Sequence, residues 1–262
     1  MGKIIAVVNQ KGGVGKTATV VNLAAALAQL GKRVLMVDFD PQGNATSGVG
    51  ADKQEIALSV YHLLIDQVNP LELILPTMIP LLKLIPSSMD LVGADIELVP
   101  MPEREKVLRK KLEPLRGEFD YIFIDCPPSL GLLTVNALTA AQSLIVPTQC
   151  EYYALEGLGS LLNTIQMVQK DLNPSLYVEG ILLTMFDVRN NLSSQVEKEV
   201  RTHLQELVFK TVIPRNVRIS ESPSHGLPVL LYDPQSKGAQ SYLELAKELL
   251  SAEISHGRAQ EG

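Results

Sequence analysis

The 262-residue chain has no tryptophan, two cysteines, four histidines and only 5% aromatic residues. Two cysteines cannot form the disulfide framework of a small secreted domain, and Cys126 and Cys150 read as small buried hydrophobes in a reducing cytosol. No apolar run approaches the roughly 20 residues that cross a bilayer. The first residues lead directly into an apolar, strand-like run, so no signal peptide is expected. Internal repeats and low-complexity stretches are missing too, which excludes solenoids and arrays. Positive charge is not in excess: 23 Lys and Arg against 29 Asp and Glu leave a net charge of −6. Bulk charge thus speaks against a nucleic-acid partner, although a local patch can outweigh it. What the chain does have is a 46% hydrophobic composition, enough for one large core. One domain is expected over residues 1–253, followed by a polar, frayed tail over 254–262.

The densest chemistry lies in residues 9–17, Asn-Gln-Lys-Gly-Gly-Val-Gly-Lys-Thr. The run Ile4-Ile5-Ala6-Val7-Val8 before it has the β-branched content of a buried strand. Ala18, Val21, Leu23, Ala24, Ala25, Leu27 and Ala28 after it continue a helix, and Gly31 suits the helix stop. Strand, glycine loop and helix together form the context of a phosphate-binding loop. Gly12, Gly13 and Gly15, around Val14, let the backbone turn tightly and aim its N–H groups inward. The helix beginning near Lys16 adds the positive end of its dipole. Lys16 is placed to reach the β- and γ-phosphates, and the Thr17 hydroxyl to ligate Mg²⁺.

Further along, strands alternate with helices. Arg33–Asp38 is a strand that delivers Asp38 and Asp40 to the edge carrying the loop, and residues 41–50, rich in Gly, Asn, Thr and Ser, read as a surface loop. Residues 56–100 are broken by Pro76, Pro80 and Pro86 into short helices with one strand near Leu81–Ile85. Pro102 is expected to open a helix whose interleaved Arg, Lys and Glu residues form a solvated face. Tyr121–Ile124 is a buried strand ending in Asp125, the form of a metal-directed acid downstream of a phosphate loop. Ser143–Pro147, Tyr177–Thr184 and Val208–Ile213 read as strands. Ala154–Lys170, 191–207 and Gln240–Ala252 read as helices. This alternation predicts an α/β fold: a mostly parallel, twisted sheet with helices on both faces and ligand at the carboxyl ends of the strands.

The strict phosphate-loop pattern fails at Gln10, where it wants glycine, and the chain offers Lys11 instead. In this the sequence resembles the deviant Walker A ATPases, and most closely the ParA/Soj partition family. Four more blocks carry the resemblance: 38–48, 124–129, 150–157 and 213–218. The resemblance implies a single-domain P-loop NTPase fold that hydrolyses ATP with Mg²⁺ as a homodimer. It implies nonspecific double-stranded DNA and a ParB-type protein as partners, no membrane, and a cytoplasmic, nucleoid-associated location. It gives Asp40 the attacking water, Asp38 and Asp125 places near the metal, and Lys11 a reach across the dimer to the partner's phosphates. Glu151 would touch the partner's nucleotide or its lysine. Met185, Pro214, Arg215 and Asn216 would hold the base, and Arg189 and Arg218 would contact DNA phosphates. Ala18 departs from the family's usual threonine and removes one α-phosphate contact. The alternative is a division or cargo-positioning ATPase of the MinD kind. The tail's weak apolar face and lack of positive charge count against it. An iron–sulfur protein like the nitrogenase iron protein is disfavoured because Cys126 and Cys150 stand at the wrong positions.

Overall fold

A computed structural model describes residues 1–66, 68–151 and 154–260, with side chains through Ala252. Seven strands form one sheet in the order β3-β4-β2-β5-β1-β6-β7. They are β1 Lys3–Val7, β2 Val34–Asp38, β3 Leu75–Pro76, β4 Leu82–Ile85, β5 Tyr121–Asp125, β6 Ser143–Gln149 and β7 Tyr177–Thr184. Every pairing is parallel except the short edge pair of β3 with β4. Strand alternation divides the core in two. Ile4 and Ala6 of β1 face one cluster, and Ile5 and Val7 face the other. All four are fully buried, as expected of a parallel sheet covered on both faces.

One face is covered by α1 Lys16–Gln29 and the last helix. The helices between them are α2 Asn44–Gly48, α3 Val60–Leu64, α4 Leu91–Glu97, α5 Val107–Leu112, α6 Leu132–Ala140, α7 Ala154–Asp171, α8 Asn191–Leu204, α9 Val217–Glu221 and α10 Val229–Tyr232. The last is α11 Lys237–Gln260. Helix α1 is buried along nearly its whole length because Leu23, Ala24 and Leu27 meet the sheet while Leu245, Ala246 and Leu249 of α11 share the same cluster. Gly31 closes it at φ 84°.

Four expectations from the sequence need correction. Residues 41–50 are not simply a surface loop. Helix α2 lies within them, with Ala45, Thr46 and Gly48 buried, because Thr46 is drawn onto Asp38. Pro102 opens no helix: Glu103 adopts φ 51°, in the left-handed region that a helix cannot pass through. Helical structure starts instead as a 3₁₀ turn at Arg104–Lys106, ahead of α5. There the charges pair among themselves as a solvated face does, with Lys106 and Lys110 both on Glu103.

Val208–Ile213 is not a strand and touches β7 through an isolated bridge between Ile181 and Val208. The Phe209 and Ile213 N–H groups do donate to the Ile181 and Leu183 carbonyls of β7 at 3.0 and 2.9 Å, but the backbone groups between them are taken by side chains. Arg201 donates to the carbonyls of Phe209 and Lys210 at 3.0 and 3.3 Å, and Glu248 accepts from the N–H groups of Lys210 and Thr211 at 2.7 and 2.9 Å. Finally, α11 begins three residues before Gln240 and its span runs on from Ala252 to Gln260. Residues 261–262 of that tail lie outside the described residues, as do Tyr152 and Tyr153 of the 150–157 block.

Candidate nucleotide-binding site

The loop between β1 and α1 sits at the carboxyl edge of the sheet, where β2, β5, β6 and β7 also end. Gly13 and Gly15 have φ of 75° and 91°, which only glycine adopts without strain. Gly12 has an ordinary φ, yet a Cβ on Gly12 or Gly13 would meet no protein atom within 4 Å. The space over these two glycines is a cradle that a side chain would fill. Two straps hold the loop. Thr184 at the end of β7 donates its hydroxyl to the Val14 carbonyl at 2.8 Å. Asn9 donates to the Pro147 carbonyl of β6 at 2.7 Å and accepts the Lys11 N–H at 2.9 Å.

Lys16, at 7% exposure, folds its ammonium back to the Lys11 carbonyl at 3.2 Å. Burial pulls its pKa down, and the carboxylates of Asp125 and Asp40 pull against that. Asp38 and Asp125 stand side by side in the β2–β5 register, both fully buried. Asp38 is satisfied: one oxygen accepts the N–H and the hydroxyl of Thr46, each at 2.6 Å. Burial nevertheless raises its pKa to about 6. Asp125 differs. Neither of its oxygens accepts a hydrogen bond of ordinary geometry, though the Thr17 hydroxyl lies close enough to ease its charge. Burial, and then Asp38, push its pKa well above the carboxylate range.

A buried carboxylate without a partner is costly and calls for a ligand. With Thr17 beside it, the donors are hard oxygens, which suit Mg²⁺. Among the described residues no group of three or more His, Cys, Asp or Glu is arranged to hold a metal by itself. That fits Mg²⁺ bound through one or two protein oxygens, with water and phosphate completing the shell.

Asp40 is half-buried, and its carboxylate accepts the Gln42 N–H at 3.0 Å, so it also builds the turn after β2. Lys11 is exposed and forms an ion pair with Glu151 of its own chain. Cys126 and Cys150 are free and buried, as expected.

Beside the loop lies a cleft of about 170 Å³, bounded by Gly15, Ala18, Met185, Pro214, Asn216 and Tyr242. It brings the base-binding candidates together. Met185 has φ 50°, a strained conformation for a bulky residue and one that clusters at ligand clamps. Asn216 caps α9 by accepting the Arg218 N–H at 2.9 Å, which leaves its amide donors and one oxygen lone pair for a base edge.

A protein-family model described as an AAA domain matches residues 2–178. The sporulation initiation inhibitor protein Soj of Bacillus subtilis is 59% identical over 249 residues, covering 95% of this chain and 98% of that protein. The chromosome partitioning protein ParA of Myxococcus xanthus is 54% identical over 250 residues, covering 95% of this chain and 88% of that one. The chain belongs to the ParA/Soj chromosome-partitioning family. Among solved structures, cobyrinic acid a,c-diamide synthase from Mycobacterium smegmatis with bound ADP and magnesium superimposes at a TM-score of 0.86. It has 41% identity and covers 98% of this chain and 97% of that one.

Outside the ParA/Soj nucleotide site, the two arginines singled out for DNA stand on neighbouring segments joined by the Phe186–Pro214 bridge. Both are already paired. Arg189 holds Asp187 at 3.0 Å, and Arg218 holds Glu221 at 2.9 Å and Asp233 at 3.2 Å. Sequence reasoning missed Thr46, Thr184 and Asn9. Asn9 opens the loop and Thr184 ends a predicted strand, so position alone hinted at them. Thr46 gave no hint beyond lying in the 38–48 block.

Proposed function

We propose that this ParA/Soj chain is a Mg²⁺-dependent ATPase that serves as a DNA-partition switch. ATP builds a dimer, the dimer holds double-stranded DNA without regard to sequence, and hydrolysis releases it with stimulation by a ParB-type protein. The observation that carries this reading is the orphaned Asp125 carboxylate facing Thr17 and Lys16 beneath an open glycine cradle. Mg²⁺ bound there would neutralise charge on the β- and γ-phosphates.

The chain's own groups do the rest. Loop amides and Lys16 bind the phosphates. Asp40 orients the attacking water, giving up its hold on the Gln42 N–H if the two compete. Lys11 must leave Glu151 to reach a partner's nucleotide. That ion pair is about half exposed and weak, so the exchange is easy. The cleft at Met185, Pro214 and Asn216 takes the base. No helix among the described residues is long and apolar enough to cross a membrane. The switch works in the cytoplasm on the nucleoid, where its DNA lies.

DNA phosphates would replace Asp187, Glu221 and Asp233 as partners of Arg189 and Arg218. These exposed pairs are also cheap to exchange. If each subunit neutralises about three phosphates, the logarithmic salt slope is about −2.7 for one subunit and −5.4 for a dimer. The second set of contacts is nearly intramolecular, so ATP raises affinity steeply without a new residue. The test is DNA retention beside light scattering, with and without ATP. Arg189→Glu and Arg218→Glu should abolish retention and keep ATP-dependent dimerisation. Wild type binding DNA equally well without ATP would refute the switch.

A further inference from the structure

The carboxylate of Asp38 is held by a residue from outside its own strand. The Thr46 N–H and hydroxyl both donate to Asp38 Oδ2 at 2.6 Å, and the Ser87 N–H donates to the Thr46 hydroxyl oxygen at 3.0 Å. Asp38 and Thr46 are 0% exposed and Ser87 is 1% exposed, so bulk solvent does not compete for these three hydrogen bonds. The Ser87 N–H occupies one of the two lone pairs of the Thr46 hydroxyl, and the hydroxyl donates its proton to the Asp38 carboxylate. Two donors occupy Oδ2, while Oδ1 receives only the Asp40 N–H at 3.4 Å. Oδ1 is therefore the oxygen with acceptor capacity left over.

We propose that Thr46 is a positioning residue for the ATPase reaction: it clamps Asp38 so that Oδ1, and not Oδ2, remains for the water shell of the metal. The proposal rests on the Mg²⁺–ATP reading above. A clamp is needed because Asp38 stands between two other acids, Asp125 across the β2–β5 register and Asp40 two residues on. An unrestrained carboxylate there would turn away from its neighbours' charge. The clamp also ties three segments into one unit, since β2 brings Asp38, α2 brings Thr46 and the segment after β4 brings Ser87. The Asp40 backbone is attached to it through Oδ1.

The experiment titrates Mg²⁺ into the full chain with a fluorescent ATP analogue and reads binding rather than turnover. Thr46→Val keeps the shape and removes the hydroxyl. It should need about 10- to 100-fold more Mg²⁺ for half-maximal binding, the range for losing a group that orients a metal's partner. Its affinity for the nucleotide without Mg²⁺ should be unchanged. Thr46→Ser should restore the wild-type midpoint, and Ser87→Ala should not move it, because Ser87 acts through its backbone. A wild-type midpoint in Thr46→Val overturns the proposal. So does a Thr46→Ser variant as defective as Thr46→Val, since the methyl group would then be what matters. A wild type whose nucleotide binding ignores Mg²⁺ overturns the underlying reading and the proposal with it. Should Thr46→Val not fold, wild-type amide exchange decides. Protected Thr46 and Ser87 amides support the clamp, and exchange as fast as in an exposed loop overturns it.

Discussion

Replacing Asp125 with asparagine should stabilise the metal-free protein while destroying its function. Both Asp125 oxygens are buried without hydrogen-bond partners, and Asp38 stands beside it in register. Lys16 keeps Asp40 as a counter-charge, and Asp38 and Asp40 both repel an ionised Asp125, so at a pH where Asp125 is charged, removing that charge relieves repulsion more than it deprives Lys16 of a partner. An unsatisfied buried group costs about 1–3 kcal/mol and a charged one more. The amide keeps part of that cost, so a gain of about 2 kcal/mol is expected, or roughly 4–8 °C in Tm for a chain of this size. The effect has a pH signature. A carboxyl whose native pKa is raised keeps its proton in the folded state at a pH where the unfolded chain has lost it. Stability is then full below the unfolded pKa and declines as pH rises toward the native one. Asp38, raised to about 6, acts in the same direction. Wild-type Tm should therefore fall between pH 5 and pH 8, and the Asn variant should fall less, so their difference widens with pH. Thermal melts at several pH values without metal, repeated with Mg²⁺ and ATP, measure this. An Asn variant that melts at or below wild type at pH 8 without metal would refute the reasoning.

Asp40→Ala should retain ATP binding and dimerisation but slow hydrolysis by about 10²–10⁴-fold, the range for a positioned base; steady-state phosphate release reads this, with trapped dimer seen by light scattering. Lys11→Ala should bind ATP normally as a monomer yet fail to dimerise, and a dimer of wild-type stability would exclude a role across the interface. Gly180→Ala should cost about 1–3 kcal/mol in a denaturant melt, because its new Cβ would lie 2.4 Å from the Phe209 ring.

The strand ends and the glycine loop were legible because each rests on local chemistry. Ile4–Val8 is apolar and β-branched, positive φ at Gly13 and Gly15 demands glycine, and a buried strand ending in Asp125 places an acid at the edge. Val208–Ile213 misled because its composition is that of a strand. Several of its backbone groups are claimed by Arg201, from the preceding helix, and by Glu248, remote in sequence, and neither residue is marked for that role in the sequence. The 41–50 stretch misled in the opposite way. Small polar residues suit a loop, but the same hydroxyl that would serve a turn is used by Thr46 to satisfy a buried acid. Glu103 escaped notice because nothing about a glutamate announces a left-handed backbone. The pairing of Lys11 with Glu151 depends on β6 ending next to β1, a fact of topology rather than of motif.

The two straps on the loop have a mechanical consequence. Thr184 and Asn9 fasten the phosphate cradle to β7 and β6, the strands that also lead into the base cleft. Asp38, Thr46, Ser87 and Asp125 all hang from β2, β4 and β5, on the other flank of β1. The base cleft and the acid cluster thus belong to opposite halves of the sheet, and the glycine loop, Lys16 and Thr17, which follow the central strand β1, lie between them. Substitutions that reshape the base cleft and substitutions that reshape the acid cluster can therefore accumulate with little effect on each other.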